Sequence, residues 1–416
     1  VTFTHIFVNI EHMVKTQTLK GFRDFLPEQA RKRHYVINKL TSVFELFGFQ
    51  PLETPALEYE ELLMGKYGEE GDQLMYRFED NGNRRVAMRY DQTVPLARVI
   101  TQYGNQLPMP FKRYQIQNVW RAENTQKGRY REFLQCDIDT VGTYSALADA
   151  EIIVCAVTVL QELGFTNFTI SINDRQNFKD IPTEAIIIID KIKKIGKVKV
   201  EEELKAKGYN PAMLDELAHT PPSDMLNEIF TTIGILDKTK NDTRYRFDPT
   251  LARGLNYYTG IIFEIEIEGY ESGSVAGGGR YDDLIGMFSG EKTPAVGFAF
   301  GFDRLMEAMS AQKLFPKELD GKTQVLVSLF NPTSTNASLA IASRLREAGI
   351  LTELYLGEIK EKNPLEKQIK YALAKQIPYL AIIGPDEAKK GLVTLKNLVT
   401  REQKQMNAEE LVRNLA

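Results

Sequence analysis

The sequence predicts an α+β protein: a core on an antiparallel sheet with helices behind it, a helical insertion, and a smaller C-terminal α/β domain. Three observations carry this. MYRFEDNGNRRVAMRYD alternates in polarity and turns at Asn81-Gly82, the pattern of a β-hairpin. Residues 174–243 turn lysine- and glutamate-rich with a helical tendency, as in IIIIDKIKKIGKVKVEEELKAKG, and break at Pro221-Pro222. Beyond residue 320, short apolar runs alternate with helical patterns, the grammar of an α/β unit.

In chain order, residues 1–17 show no period and read as an extension. A helix is predicted from Pro27, because Val36, Leu40, Val43, Phe44 and Phe47 recur every three or four residues and Gly48 supplies a stop. PLETPALE holds two prolines, which suit an edge or extended segment. RYQIQNVWRAE and REFLQCDIDTVG form a second extended pair around a polar loop. A helix over about 146–163 ends at Gly164. The charge run of the insertion reads as a solvated face, with tRNA or partner contact as the sharper reading. β pattern resumes at 245–247, continues through YYTGIIFEIEIEGY and SGSVAGGGRYDDLIGMF, and ends in PAVGFAFGFDRLMEAM, a strand running into a helix. Hairpins first and helices behind distinguish this core from a doubly wound sheet. In the last domain, VLVSLF, LTELYL and YLAIIG are strands and ASLAIASRLREAG and PLEKQIKYALAKQ are helices, predicting a mostly parallel sheet.

The 416 residues suggest two or three domains at roughly 150 residues each. A formal charge of −4 argues against a non-specific nucleic-acid coat protein, so any nucleic-acid contact is local. Cys136 and Cys155, without a CxxC, support neither a disulfide framework nor a zinc site. Four scattered histidines offer no metal cage or triad. No apolar run reaches the ~18 residues of a membrane span. The start, VTFTHIFVNIEH, lacks the basic region and cleavage site of a signal peptide, and a reducing cytoplasm is expected.

There is no GxxxxGK[ST] and no GxGxxG after a strand. Gly277, Gly278 and Gly279 alone would mark a tight turn or bulge where backbones approach closely, yet they lead into Arg280, Tyr281, Asp282 and Asp283. Arg113, Arg121, Lys127, Arg129 and Arg131 crowd together in an acidic chain. Arg121, Arg253 and Arg304 sit at ends of predicted strands. Several separated guanidinium groups match a transferring phosphoryl or nucleotidyl group, whose charge is spread over non-bridging oxygens.

RAENTQKGRYREF resembles the second signature motif of the class-II aminoacyl-tRNA synthetases, AVGFAFGFDRL the third, and FGFQPLETPALE the first. LARGLNYYTGIIFE and GSVAGGGRYDDLIG resemble two segments peculiar to the histidyl-tRNA synthetase family; KGFRDFLPEQ and RYDQTVPLAR resemble that family too. The resemblance runs in order from about residue 18 to the C-terminus. It implies a catalytic domain over 18–320, interrupted by the insertion, and an anticodon-binding domain over 321–416. Implied chemistry is activation of histidine by ATP to histidyl-adenylate, with Mg²⁺ bridging phosphates, then transfer to the 3′ end of tRNA(His). By position, Arg121 and Arg253 would grip the α-phosphate and Arg304 the γ-phosphate, with Glu123 also at the ATP site. Tyr258 and Tyr281 would hold the substrate imidazole, Asp91 and Thr93 its ammonium, and Gln135 and Asp139 the amino acid further. Gln126, Lys127, Arg129 and Arg131 would meet the tRNA acceptor end. No protein metal ligand is implied. Pro55 would lie at the interface of a homodimer. Residues 357–416 hold 11 Lys/Arg against 8 Asp/Glu, locally basic, as a phosphate-contact surface requires.

Two positions depart from the family pattern. Asn256 replaces a usual aspartate, which bears on how Arg253 is oriented, and Trp120 replaces a usual phenylalanine. The rival reading is the synthetase-like regulatory subunit of ATP phosphoribosyltransferase, which shares the core but generally lacks the C-terminal domain and an arginine matching Arg253.

Overall fold

The computed structural model describes residues 16–126, 128–237, 244–253, 257–319, 323–359 and 364–416. Lys127, Asn256 and most of the 1–17 extension lie outside these. The chain divides into two compact units, one taking in the described residues up to Phe25 together with Arg33–Leu314, the other Leu26–Lys32 and Phe315–Ala416.

The larger unit is built on one eight-stranded sheet. Its strands are β1 (Gln50–Pro51), β2 (Phe111–Trp120), β3 (Glu132–Val141), β4 (Phe168–Asp174), β5 (Tyr245–Phe247), β6 (Ile261–Ile267), β7 (Ala276–Arg280) and β8 (Ala295–Gly301), in the order β1-β2-β3-β8-β7-β6-β4-β5. Only the outer pairs, β1 with β2 and β4 with β5, are parallel. The antiparallel core follows from the sequence: β2 and β3 are alternating runs on either side of a polar loop, and they pair Phe111↔Val141 through Trp120↔Glu132. The proline-limited Gln50-Pro51 segment reaches the sheet only as its edge.

Helix α1 (Pro27–Leu46) starts with proline at a position whose N–H has no helical partner. It buries Val36, Leu40, Val43 and Phe44, and Gly48 turns the chain away at φ 78°. Helix α2 (Thr93–Tyr103) and helix α3 (Ala146–Glu162) follow; α3 is capped by the Ser145 hydroxyl and ends before Gly164 at φ 90°. The predicted hairpin forms within a three-stranded sheet of Leu57–Tyr59, Arg85–Met88 and Arg77–Glu79. Asp80 Oδ1 accepts from the N–H of Gly82 and Arg84, and Asn83 takes the left-handed conformation at φ 59°. In the insertion, Ile186, Ile188 and Ile189 pack with Val200, Leu204, Leu214 and Leu217 into a core of their own, leaving the lysines outside.

The smaller unit holds β9 (Val325–Val327), β10 (Thr352–Leu354), β11 (Tyr379–Ile382), β12 (Leu392–Asn397) and β13 (Gln403–Asn407), ordered β10-β9-β11-β12-β13. The expectation of a mostly parallel sheet is corrected here: β9 pairs in parallel with β10 and β11, but β11–β12 and β12–β13 are antiparallel. A hairpin joins the last two strands. Asn397 Oδ1 accepts from the N–H of Val399 and Thr400, and Arg401 takes φ 65°. LVTLKN is half polar and QKQMN almost wholly so, and together they carry too little apolar alternation to read as strands.

Candidate active site

Strand alternation begins the site. Gln135, Asp137 and Asp139 are two residues apart on β3, so all three side chains point to one face. That face opens into a cavity of ≈ 330 Å³ whose wall includes all three together with Asp91, Thr93, Arg121, Glu123, Arg129, Arg253, Tyr258, Tyr281 and Arg304. Residues more than a hundred positions apart thus share one chamber. Gln126 and Arg131 are not in its wall; the Arg131 Nε donates to the Glu123 carbonyl at 3.1 Å.

The cations are anchored in different ways. Arg121 follows β2, donates from Nε to the Tyr90 carbonyl at 3.0 Å, and lies 4.3 Å from the Tyr90 ring centre and 5.2 Å from that of Phe133. Arg304 is not at a strand end but in the first turn of helix α4 (Phe302–Ala311), and it donates to the Ser274 carbonyl at 2.8 Å. Burial, with Arg129 next in effect, lowers its pKa, so this cation is held where a negative charge would be welcome. Arg253 lies in a loop before β6, again not on a strand; its Nη1 contacts Glu264 Oε1 at 2.9 Å. Burial opposes its charge, while Tyr258 and Glu264 favour it, and the net shift is upward. The three arginines therefore converge from a strand exit, a loop and a helix start.

Arg113, grouped in the sequence with the cations around the polar loop, is fully buried and stands apart from them. It stands directly across the β2–β3 ladder from Asp139 and contacts Asp139 Oδ2 at 2.7 Å. The other Asp139 oxygen accepts the Tyr281 hydroxyl. Asp91 Oδ1 accepts from the Tyr67 hydroxyl at 2.8 Å and from the N–H groups of Thr93 and Val94 at 3.1 Å, at the start of α2, where the helix dipole favours a carboxylate.

The triglycine is neither turn nor bulge. Gly277, Gly278 and Gly279 lie inside β7, between β6 and β8. A Cβ on Gly277 would sit 1.8 Å from Arg253 Nη1, one on Gly278 2.1 Å from the Gly297 carbonyl oxygen, and one on Gly279 2.8 Å from the Tyr258 ring. Opposite, a Cβ on Gly297 would sit 1.9 Å from Asp139 Oδ1. Gly277, Gly279 and Gly297 thus leave room for the charged and aromatic groups to lie close over the strands, while Gly278, facing the other way, lets the backbone of the neighbouring strand approach.

Asp137 was missed by the sequence reading, although its spacing from Gln135 and Asp139 places it on the same face. Burial drives its carboxyl pKa well above the usual range, opposed by Arg113 and reinforced by Asp139 and Asp91. Burial also raises Asp139, opposed by Arg113, and Asp91, opposed by its hydrogen bonds. A carboxylate raised in the folded state contributes stability below its unfolded pKa, and loses that contribution as pH rises through the folded value. Asp137→Asn should therefore melt at a higher temperature than the parent at neutral pH without ligands, with the gain vanishing in acid; equal melting curves across pH would contradict this. Tyr257 was also missed. Its ring lies 4.9 Å from that of Tyr258 and 5.9 Å from that of Tyr281, holding both. Trp120 finds a partner that phenylalanine could not: its indole N–H donates to Glu132 at 2.7 Å.

The profile of the histidyl-tRNA synthetase family matches residues 21–194 and 199–305, and that of the anticodon-binding domain matches 324–416. This chain belongs to the histidyl-tRNA synthetase family. The histidine–tRNA ligase of Cytophaga hutchinsonii is 39% identical over 459 residues, covering 97% of this chain and all of that protein. That of Gloeobacter violaceus is 41% identical, covering 94% and 96%. The crystal structure of histidyl-tRNA synthetase from Nostoc sp. PCC 7120 superposes with a TM-score of 0.79 at 32% identity, covering 97% of this chain and all of that one. The histidyl-tRNA synthetases are ligases of class II, and the antiparallel floor with its glycine strand is this chain's version of their core.

Proposed function

We propose that the cavity activates histidine with ATP and that the chain then transfers the histidyl group to the 3′ end of tRNA(His). The carrying observation is the convergence of Arg121, Arg253 and Arg304 on one chamber that also holds Tyr258 and Tyr281. In the first step the histidine carboxylate attacks the α-phosphorus, a phosphoanhydride bond breaks, and pyrophosphate leaves. The nucleophile arrives ionised, so no protein base is needed. Arg121 and Arg253 approach the α-phosphate from two sides, where charge builds as five oxygens crowd the phosphorus. Arg304, held on a neutral carbonyl, takes the γ-phosphate. Glu123 lies beside them in the wall. Magnesium brought in with ATP would offset the charge of the phosphates, a hard cation for hard oxygen ligands.

Tyr258 and Tyr281 face the substrate imidazole. Because the Tyr281 proton is committed to Asp139, its oxygen is left to accept from a ring N–H. Asp91, Thr93 and Gln135, with Asp137, meet the ammonium end. Histidine affinity should accordingly weaken as pH falls through the raised carboxyl pKa values, while the added ligand charge holds these groups ionised. Gln126, Lys127, Arg129 and Arg131 are proposed to meet the acceptor end of tRNA, and the domain over 321–416 its anticodon.

Histidine-dependent ATP–pyrophosphate exchange, with other amino acids as controls, tests the reading. A regulatory subunit would exchange nothing, and a sister synthetase would respond to another amino acid. We further propose a cytoplasmic homodimer built around the segment of Pro55. Leu57, Tyr59 and Phe78, on the adjoining small sheet, expose apolar side chains suited to an interface. Among the described residues no helix is long and apolar enough to cross a membrane. Sedimentation should give a dimer at micromolar concentration; an active monomer alone would refute it.

A further inference from the structure

The segment KGFRDF, residues 20–25, contributes nothing to the wall of the cavity, yet it is built tightly against the polar loop of residues 121–131. Gly21 is at φ 87°, and its carbonyl accepts from the N–H of Arg131 at 3.0 Å and of Glu132 at 3.4 Å. A Cβ there would lie 2.7 Å from Arg131 Cγ and 2.8 Å from Thr125 Cγ2, so only glycine lets the two segments close. Two residues on, the Arg23 guanidinium stacks 3.2 Å above the Tyr130 ring centre. The same guanidinium meets Asp303 at 2.8 Å, in the first turn of the helix that carries Arg304. From that helix, Glu307 accepts the Tyr130 hydroxyl at 3.4 Å and the Tyr270 hydroxyl at 3.0 Å. Tyr130 is thus clamped between a strap and a helix.

We infer that Arg23 is a positioning residue for transfer to tRNA. It acts through Tyr130 to set the shape of the loop that bears Gln126, Arg129 and Arg131, and it does not act on adenylate formation. This rests on the synthetase reading of the site. The separation of roles follows from the anchors. Arg121 is held by Tyr90 and Arg304 by Ser274, neither through Arg23, and Asp303 keeps a second cation, Arg33, at 3.2 Å. Loss of Arg23 therefore leaves the anchors of Arg121 and Arg304 in place and frees the stretch of loop next to Tyr130. Both plane and charge are used, the plane on Tyr130 and the charge on Asp303, so lysine is no equal substitute.

The test compares two reactions in the full-length protein. Arg23→Met should hold histidine-dependent ATP–pyrophosphate exchange within about twofold, while single-turnover transfer from preformed histidyl-adenylate to a tRNA(His) transcript slows about tenfold, the scale of a desolvated cation–π contact. Tyr130→Leu should reproduce the split, Arg23→Lys should recover part of the transfer rate, and the double variant should be no worse than the worse single one. Equal losses in both reactions, or no loss in transfer, would overturn the inference. If Arg23→Met fails to fold, the same two measurements on Tyr130→Leu decide. Absence of exchange in the parent protein would instead refute the synthetase reading.

Discussion

Arg253→Ala should lower the rate of histidine-dependent ATP–pyrophosphate exchange by about 10²–10³-fold, the usual cost of removing one preorganised donor from a charge-developing centre. Histidine affinity should change little if the guanidinium, as proposed, meets the charge that grows on the α-phosphate as it is attacked. The loss therefore belongs in kcat, with KM for histidine nearly constant. The fold should survive, since the freed partner, Glu264, retains access to water. Arg253→Lys should fall between the two, keeping charge but losing the planar fork. Unchanged exchange in the alanine variant would remove Arg253 from the mechanism.

The glycine strand separates two kinds of damage. With Gly277→Ala, the new Cβ stands 1.8 Å from Arg253 Nη1, and normal contact near 3.5 Å forces the guanidinium back by roughly 1.5 Å. A displacement of that size is enough to cost about 10²-fold in rate without touching the fold. With Gly278→Ala, the Cβ instead meets the Gly297 carbonyl oxygen at 2.1 Å and Phe298 Cα at 2.8 Å. Backbone cannot rotate aside like a side chain, so the strands must part, at about 1–3 kcal/mol or more. Urea unfolding should show Gly278→Ala clearly destabilised and Gly277→Ala close to the parent; exchange should be slow in both. Equal stabilities, or a fast Gly277→Ala, would contradict the arrangement of glycines described above.

How much was legible depended on whether a signal was local. The α1 helix, the Asn81-Gly82 hairpin and the β2–β3 pair are written in short-range periodicity and turn chemistry, and they were readable. The C-terminal hairpin was not, because β12 is half polar and β13 almost wholly so, and both are ordered by their neighbours and by the Asn397 turn. Arg113 misled for a related reason. Its position in the sequence groups it with the cations of the polar loop, whereas its strand register puts it opposite Asp139 in the interior. Asp137 was legible in principle from its spacing, but a carboxylate on a strand ordinarily faces water, and nothing in the linear pattern marks which face is closed.

By itself, the sequence determined the class of the larger sheet and the order of its segments, and its family resemblance named the residues proposed to meet a nucleotide and an imidazole. Helices, hairpins and motif spacing depend on interactions a few residues long, so they survive being read along a line. Only the tertiary structure decided that Arg121, Arg253 and Arg304 open into one chamber, that Gly277 and Gly297 lie in its wall, and that Arg23 reaches across to Tyr130. Those outcomes depend on strand register and on contacts between atoms far apart in the chain, and no local pattern encodes a distance of that kind.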